Sequence, residues 1–415
     1  MLELFPETAV VKQGELELGG MRATELARTH GTPLLVLCEA TIRSRARAYR
    51  SATPDALLAY GTKAFPNVAL MRLLGEEGFG ADVSTLGELR FAERAGVPGA
   101  ALVVHGNNKD EAELRAAAEA GALVVIDALD EVDRAREAGV SRTLVRVTAG
   151  VEADTHEAIR TGQRGSKFGL PPEQALEAIE RARPLGLHVH IGSQLTDVEA
   201  ARMTIDRLAA FAADCRRRLG WMPEIVDLGG GLGVRTSLDD PAPPEIAAFV
   251  GALRAEVERA WALHELPMPK LVLEPGRSIV GPAGVTLYEV GVVKQASETV
   301  RYVAVDGGMS DNPRPQLYGA RYMALLANRA DERPSRTYRV AGKHCESGDV
   351  LIDAVDLPDP RRGDLLAVPA TGAYTLAMAS NYNGVTRPAA VLVADGTARL
   401  VRRRETIDDL LELET

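Results

Sequence analysis

From about residue 40 to residue 280, short apolar runs alternate with Ala/Glu/Arg-rich stretches of helical spacing, the pattern of parallel strand–helix units. Strands are predicted at 56–60, 80–83, 102–104, 123–126, 143–147, 186–191, 224–228 and 271–273. Each of the first seven precedes a predicted helix, among them 86–95, 110–120, 172–183 and 197–219. Eight such units in roughly 230 residues predict a (β/α)8 TIM-type barrel. Ahead of them a helix is predicted at 21–30, after the Gly19-Gly20 turn, and the continuous apolar run 33–38 reads as a buried strand. Beyond residue 280, strands at 285–290, 301–305, 338–340, 364–368 and 389–393 have no regular helices between them. They predict a separate, mainly β domain, barrel-like or sandwich-like, which also takes the N-terminal strand near Leu35. The expected organisation is an N-terminal segment (1–39) packing with the β domain, a barrel (40–280) and the β domain itself (281–415). The loop 236–244, with Asp239, Asp240 and three prolines, is expected as an irregular excursion over the barrel mouth.

Composition narrows the class of partner. The chain has 415 residues, 46% of them hydrophobic and 26% charged, as in ordinary globular proteins of about two domains. A net charge of −10 leaves no basic excess to neutralise phosphates, so a nucleic-acid partner is not expected. The first residues lack a basic stretch followed by an apolar core, and no apolar run approaches the ~18 residues of a membrane span. Cys38, Cys215 and Cys345 are scattered, which fits a reducing cytoplasm and offers no spacing for a structural zinc, so no metal is expected.

The barrel prediction turns isolated polar residues into one candidate site. Just past the successive strands stand Lys63, Asp82 with Ser84, Gly106-Asn107-Asn108, Asp127, Arg146, His190 with Ser193, Gly229-Gly230-Gly231, and Glu274-Pro275-Gly276-Arg277. In a barrel of this type all strand C-termini open on one face, where active sites form. Taken singly, each has a plainer explanation: a solvated lysine, a glycine turn, a structural histidine. Together, the glycine triplet after the seventh strand and Arg277 after the eighth form a candidate phosphate cradle. Glu274, at the end of a buried strand, needs a partner, and a pyridine nitrogen is one; Lys63 would then carry the aldehyde of pyridoxal 5'-phosphate (PLP). His188 and His190 are taken to alternate along the sixth strand, so that one of them faces the interior.

Several stretches carry a resemblance: 60–64, Ala81 to Leu89 (ADVSTLGEL), His105 to Lys109 (HGNNK), Thr155 to Leu170 (THEAIRTGQRGSKFGL), Gly186 to Gln194 (GLHVHIGSQ), Asp227 to Gly233 (DLGGGLG), Glu274 to Arg277 (EPGR), Asp306 to Tyr318 (DGGMSDNPRPQLY), Cys345 to Asp349 (CESGD) and Gly372 to Asn383 (GAYTLAMASNYN). With them the chain resembles, over nearly its whole length, the diaminopimelate decarboxylases, in the alanine-racemase-like class of PLP enzymes and the class-II Orn/Lys/Arg decarboxylases. The resemblance implies that Lys63 bears PLP, that His190 stacks on its ring, and that Asp82, Glu274, Gly276 and the segment Gly229, Gly230 and Gly231 belong to the cofactor site, with Ser193, Arg277 and Tyr374 around the phosphate. It further implies that Arg277, Arg314, Tyr318, Glu346 and Tyr374 hold the substrate and that Cys345 donates a proton from the neighbouring subunit of a homodimer. Thr148-Ala149 and Asp154 depart from the family pattern, which touches only the loop after the fifth strand.

The implied reaction is PLP-dependent decarboxylation of meso-2,6-diaminopimelate to L-lysine and CO2, the last step of lysine biosynthesis. Arg314, Tyr318 and Glu346 would read the distal end of the substrate, and Cys345 offers a thiol as the acid. A related decarboxylase of another diamino acid would share the cofactor residues and differ at Arg314 and Glu346. An amino acid racemase would need a tyrosine base where the Cys345-Glu346 segment stands. A catalytically dead binding protein would tend to lose Lys63 or Cys345, and both are present.

Overall fold

The structure, a computed structural model, describes residues 1–148 and 166–415. Ala149, Asp154 and most of the Thr155 to Leu170 motif lie outside the described residues. The chain divides into two compact units, one of Met1–Ser44, Val234–Ala242 and Ile279–Thr415, the other of Arg45–Gly233 and Pro243–Ser278.

The second unit is a closed parallel barrel. Among the described residues its strands are Leu57–Gly61, Gly80–Val83, Leu102–Val104, Leu123–Ile126, Thr143–Arg146, Gly186–His188, Ile225–Asp227 and Lys270–Leu273, in chain order around the barrel. Closure pairs Leu57 with Val272 and Leu58 with Leu273. Parallel strands covered on both faces are apolar without alternation, which is why they stand out in the sequence. Ala59, Val103, Leu123, Val125, Leu144 and Val272 form a buried cluster of this unit.

Helix boundaries follow local chemistry. In Leu86–Ala95 the Thr85 side chain accepts from the Glu88 N–H, and left-handed Gly96 ends the helix. Glu111–Ala120 begins with a reciprocal Asp110/Glu113 capping box and ends at left-handed Gly121. The eighth strand is followed by only a short helix, Arg277–Val280. Helix Glu39–Ala52, which precedes the first strand, is tied there by Arg45, donating to the Ser278 carbonyl, and by Tyr49, 2.8 Å from the Ser278 hydroxyl.

In the other unit the described residues build a nine-stranded sheet. Its central element, Gly284–Gln295, pairs with Leu34–Cys38 and Leu365–Pro369 through its first half and with Arg301–Val305 through its second, with a register shift between Val290 and Val292. Leu34–Cys38 also pairs in parallel with Ala389–Ala394, so the N-terminal strand does join the β unit. One apolar cluster gathers around Leu34, Val36, Leu287 and Val391, another around Tyr288, Val303, Val340 and Leu366.

The fold differs from the sequence expectation in several places. Met21 and Arg22 form a short strand, and the helix runs Ala23–His30. Strands Val350–Leu357 and Thr397–Arg402 were not anticipated; each exposes polar side chains on part of its length, which hides it from a search for continuous apolar runs. The sixth barrel strand ends at His188 rather than 191. In the 236–244 loop, Asp240 bonds Arg321 at 2.8 Å and the Leu238 N–H lies 3.4 Å from the Met323 sulfur, so its anchors belong to the β unit. Among the described residues no helix is long and apolar enough to cross a membrane.

Strand starts in the barrel pack backbone to backbone. A Cβ on Gly186 would stand 1.9 Å from the Ile225 carbonyl oxygen, and one on Gly80 equally close to that of Ala101. Gly186→Ala should therefore lower the unfolding free energy by about 1–3 kcal/mol through overpacking, read as a lower urea midpoint at unchanged m-value.

Candidate active site

Two backbone bonds and one from a side chain bring the ends of strands one, two, seven and eight together. The Gly61 N–H donates to the Pro275 carbonyl at 3.2 Å, and the Glu274 N–H to the Gly229 carbonyl at 2.9 Å. The Thr62 hydroxyl donates to the Asp82 carbonyl at 2.7 Å. Gly276 allows the first of these contacts, because a Cβ there would lie 2.8 Å from the Gly61 oxygen.

Lys63 sits in the turn Thr62–Ala64 just past the first strand, with its side chain 49% exposed and its Nζ 3.4 Å from Oδ2 of buried Asp82. Glu274, buried at the end of the eighth strand, meets Nε2 of His105 at 2.5 Å through Oε1, and Nε2 of His188 lies 3.9 Å from its Oε2. The His105 and His188 rings pack edge to face, 4.8 Å between centroids. Asp227, on the seventh strand, is fully buried and accepts the Gly229 N–H at 2.8 Å. Arg146, buried at the end of the fifth strand, lies 3.6 Å from Asp127 and covers the Phe168 ring at 4.6 Å.

Burial and mutual charge sort these groups. Burial opposes ionisation of Glu274, yet the charge and hydrogen bond of His105, with His188 and Lys63, hold it well below the usual carboxylate range. Burial and then the charge of Glu274 push Asp227 well above that range, so Asp227 keeps its proton while Glu274 is ionised. Asp82 is raised by burial and by Glu274, against the pull of Lys63 and His105. Burial drives His188 well down, helped by His105 and Arg146. His190 is pushed down to about 3 by burial, with the Lys63 charge next.

His188 and His190 both face this interior. The expectation that only one would do so is corrected by the period of a strand: residues two apart share a face. Gly229 and Gly231 take left-handed φ values of 68° and 130°, and a Cβ on Gly230 would stand 2.4 Å from the Glu274 carbonyl. The segment beside Glu274 is thus free of side chains by necessity, which suits close approach of a phosphate to backbone. Buried Nδ1 of His190 and Oδ1 of Asp82 have no hydrogen-bond partner among the described residues. An amine, an ionised carboxylate, a bare glycine segment and unpartnered polar atoms at one barrel mouth fit PLP. Ser193 and Arg277 are half-buried in the same unit.

Arg314, Tyr318, Cys345, Glu346 and Tyr374 belong to the β unit. Arg314 begins the short helix Arg314–Tyr318 and is buried; its Nη1 donates to the Tyr322 hydroxyl at 3.0 Å, and its Nε has no partner among the described residues. Gln316 on the same helix donates to the Gly348 and Val350 carbonyls, tying it to the turn that carries exposed Cys345 and Glu346. The Cys345 N–H donates to Asn383 Oδ1 at 3.2 Å, and the neighbouring His344 ring lies 2.8 Å from the Ser310 hydroxyl. Tyr374 adopts a left-handed φ of 59°, uncommon for a residue with a Cβ.

Sequence reasoning missed His105 and Asp227 as site residues. Their signal was positional: His105 directly follows the third strand, and Asp227 is a charge inside a strand that is otherwise apolar. No metal was expected, yet the fold gathers His105, His188, Asp227 and Glu274, with ligating atoms within 4.8 Å of one another.

The comparisons with known proteins agree with this geometry. The family described as pyridoxal-dependent decarboxylase, pyridoxal binding domain, matches residues 39–281. A diaminopimelate decarboxylase of Actinosynnema pretiosum subsp. auranticum is 45% identical, with 99% of this chain and 95% of that protein covered. One of Bacillus subtilis is 43% identical over 97% of this chain and 96% of its own length. The structure of a diaminopimelate decarboxylase from M. jannaschii in complex with L-lysine superposes with a TM-score of 0.91 at 33% identity, covering 99% and 98% of the two chains.

His190 links the site to stability. Its pKa of about 3 in the fold lies below the ordinary 6.5, so as the pH falls through 6.5 the unfolded chain takes up a proton that the folded one refuses. Stability from this group is present above pH 6.5 and is lost as the pH falls toward 3. His190→Gln, which does not titrate, should lose less stability than wild type between pH 6.5 and about 4, measured as urea midpoints against pH. Parallel curves would show that His190 is protonated freely in the folded protein.

Proposed function

The chain belongs to the pyridoxal-dependent decarboxylases and, within them, to the diaminopimelate decarboxylases, and we propose that it removes CO2 from meso-2,6-diaminopimelate to give L-lysine, the last step of lysine biosynthesis. The observation that carries this reading is that half-exposed Lys63, 3.4 Å from Asp82, and buried Glu274 stand at the ends of the first and eighth strands of one barrel. Bound there, PLP supplies an electron sink for the pair left behind by the departing carboxylate.

The residues divide the work. Lys63 would tether the cofactor, with Asp82 beside its amine to orient it. Glu274 would hold a proton on the ring nitrogen. His190, kept neutral by burial, offers an uncharged face to the ring and excludes water from it. Gly229, Gly230, Gly231, Ser193, Gly276, Arg277 and Tyr374 surround the phosphate. Arg277 and Tyr374 also face the reacting end of the substrate, and Arg314, Tyr318 and Glu346 take its distal end. Cys345 then delivers a proton to the substrate Cα. Its exposure within its own chain supports a role in the site of a neighbouring copy, so the working unit is a homodimer with shared sites, and its place is the cytoplasm.

Buried Arg314 sets the choice of substrate, because a diamino acid without the distal carboxylate leaves it unpaired. That loss costs roughly 3–5 kcal/mol in a dry site, a factor on the order of a thousand. CO2 release should therefore be far faster from meso-diaminopimelate than from lysine, ornithine or arginine. Arg314→Ala should erase most of that difference by slowing diaminopimelate alone; an unchanged profile across the four substrates refutes the clamp.

Sharing of the site is tested by mixing. Lys63→Ala and Cys345→Ala proteins should each be nearly inactive, and unfolding and refolding them together should restore roughly a quarter of wild-type activity through hybrid dimers with one intact site. Activity that stays at the level of the separate variants would place both residues in a site built by one chain.

A further inference from the structure

Glu274 is held by a residue that the reaction itself does not use. His105 follows the third strand directly, and its backbone N–H donates to the Val83 carbonyl at 2.8 Å, which fixes its position at the strand end. Its imidazole is buried, packed edge-on against His188, and its Nε2 faces two carboxylates, Glu274 at 2.5 Å and Asp82 at 3.8 Å. An imidazole nitrogen between two carboxylates carries its hydrogen and donates it, here to Oε1 of Glu274.

We propose that His105 is the positioning residue for Glu274, its Nε2–H turning the carboxylate toward the ring nitrogen of the cofactor. The proposal rests on the reading that Glu274 meets that nitrogen. Without the bond from His105, a buried carboxylate with three free torsions has a second outlet: it can take up a proton, as its neighbour Asp227 does. A protonated Glu274 could still touch the ring nitrogen but would no longer hold a proton on it. His105 therefore acts through Glu274, and its loss is felt at one atom of the cofactor.

The other groups facing Glu274 do not replace it. His188 Nε2 is 3.9 Å away, beyond a hydrogen bond, Asp82 is an acid itself, and the bond that protonated Asp227 shares with Glu274 adds to the one from His105 without taking its place. Lys63 reaches Asp82 on the mouth side, Arg146 pairs with Asp127 on the fifth strand's side, and His190 borders Gly229.

The test compares PLP with its 1-deaza analogue, which has C–H in place of the ring nitrogen. The full-length protein is stripped of cofactor, and the dissociation constants of both compounds are read from their visible absorbance on reloading. Wild type should prefer PLP by about 30-fold, the worth of one buried charge-assisted bond. His105→Asn, too short to reach Glu274, should lower that preference to within about threefold while leaving the affinity for the deaza compound unchanged. His105→Gln, whose amide reaches the position of Nε2, should keep most of the preference. A His105→Asn protein that keeps the wild-type preference, or that weakens both compounds in parallel, overturns the proposal. Glu274→Gln separates the two levels of inference: if it keeps the preference, the reading of Glu274 falls and the proposal with it; if it loses the preference and His105→Asn does not, only the role of His105 falls.

Discussion

A carboxylate buried at the mouth of an apolar barrel must be compensated where it stands, and the arrangement around Glu274 follows from that requirement. The eight strands fill the interior with side chains and deliver their polar ends to one face. Of the acids gathered there, Glu274 has the donor, and Asp227, whose carbonyl-like oxygen accepts the Gly229 N–H, carries the proton instead. The same contact anchors the start of the glycine segment, so the charge state of the site and the shape of that segment depend on one pair of acids. The neutrality of His188 and His190 belongs to the same balance: two more cations in that volume would compete with Lys63 for the negative charge.

Much of this could be read before the structure, for physical reasons that also explain the gaps. Barrel strands buried on both faces announce themselves as unbroken apolar runs, and helices such as Glu111–Ala120 are bracketed by an Asp110 cap and Gly121. Once eight strands were counted, their C-terminal residues could be collected as one site without knowing any distance. Pairwise geometry was out of reach. Nothing in the chain before folding says that His105 and Glu274, separated by 169 positions, share a hydrogen. Strands such as Val350–Leu357, with Asp353 and Asp356 outward, lack the continuous signal and were missed. The reading of His188 and His190 as opposed was an error of parity, not of information.

The residues proposed to hold the substrate lie at the other extreme of legibility. Arg314, between two prolines, looks like a loop charge until its burial and its bond to Tyr322 are seen. Buried arginine is costly without a partner, and a single phenol does not satisfy five N–H donors. Fold class alone would not have supplied this point, since barrels of this kind carry many chemistries.

The place of Leu34–Cys38 has a consequence for how the protein is made. This strand is synthesised early, yet its two neighbours in the sheet are Gly284–Leu287 and Ala389–Val393. Between them on the ribosome comes a barrel whose strands pair with neighbours close in sequence and whose closure needs nothing beyond Leu273. The barrel can therefore complete while a fully apolar strand waits, unpaired, for a partner almost 250 residues downstream and another some 100 residues later. During that interval both edges of Leu34–Cys38 are open to other chains. The step most exposed to misassembly is the late arrival of Ala389–Ala394 rather than the making of the catalytic barrel.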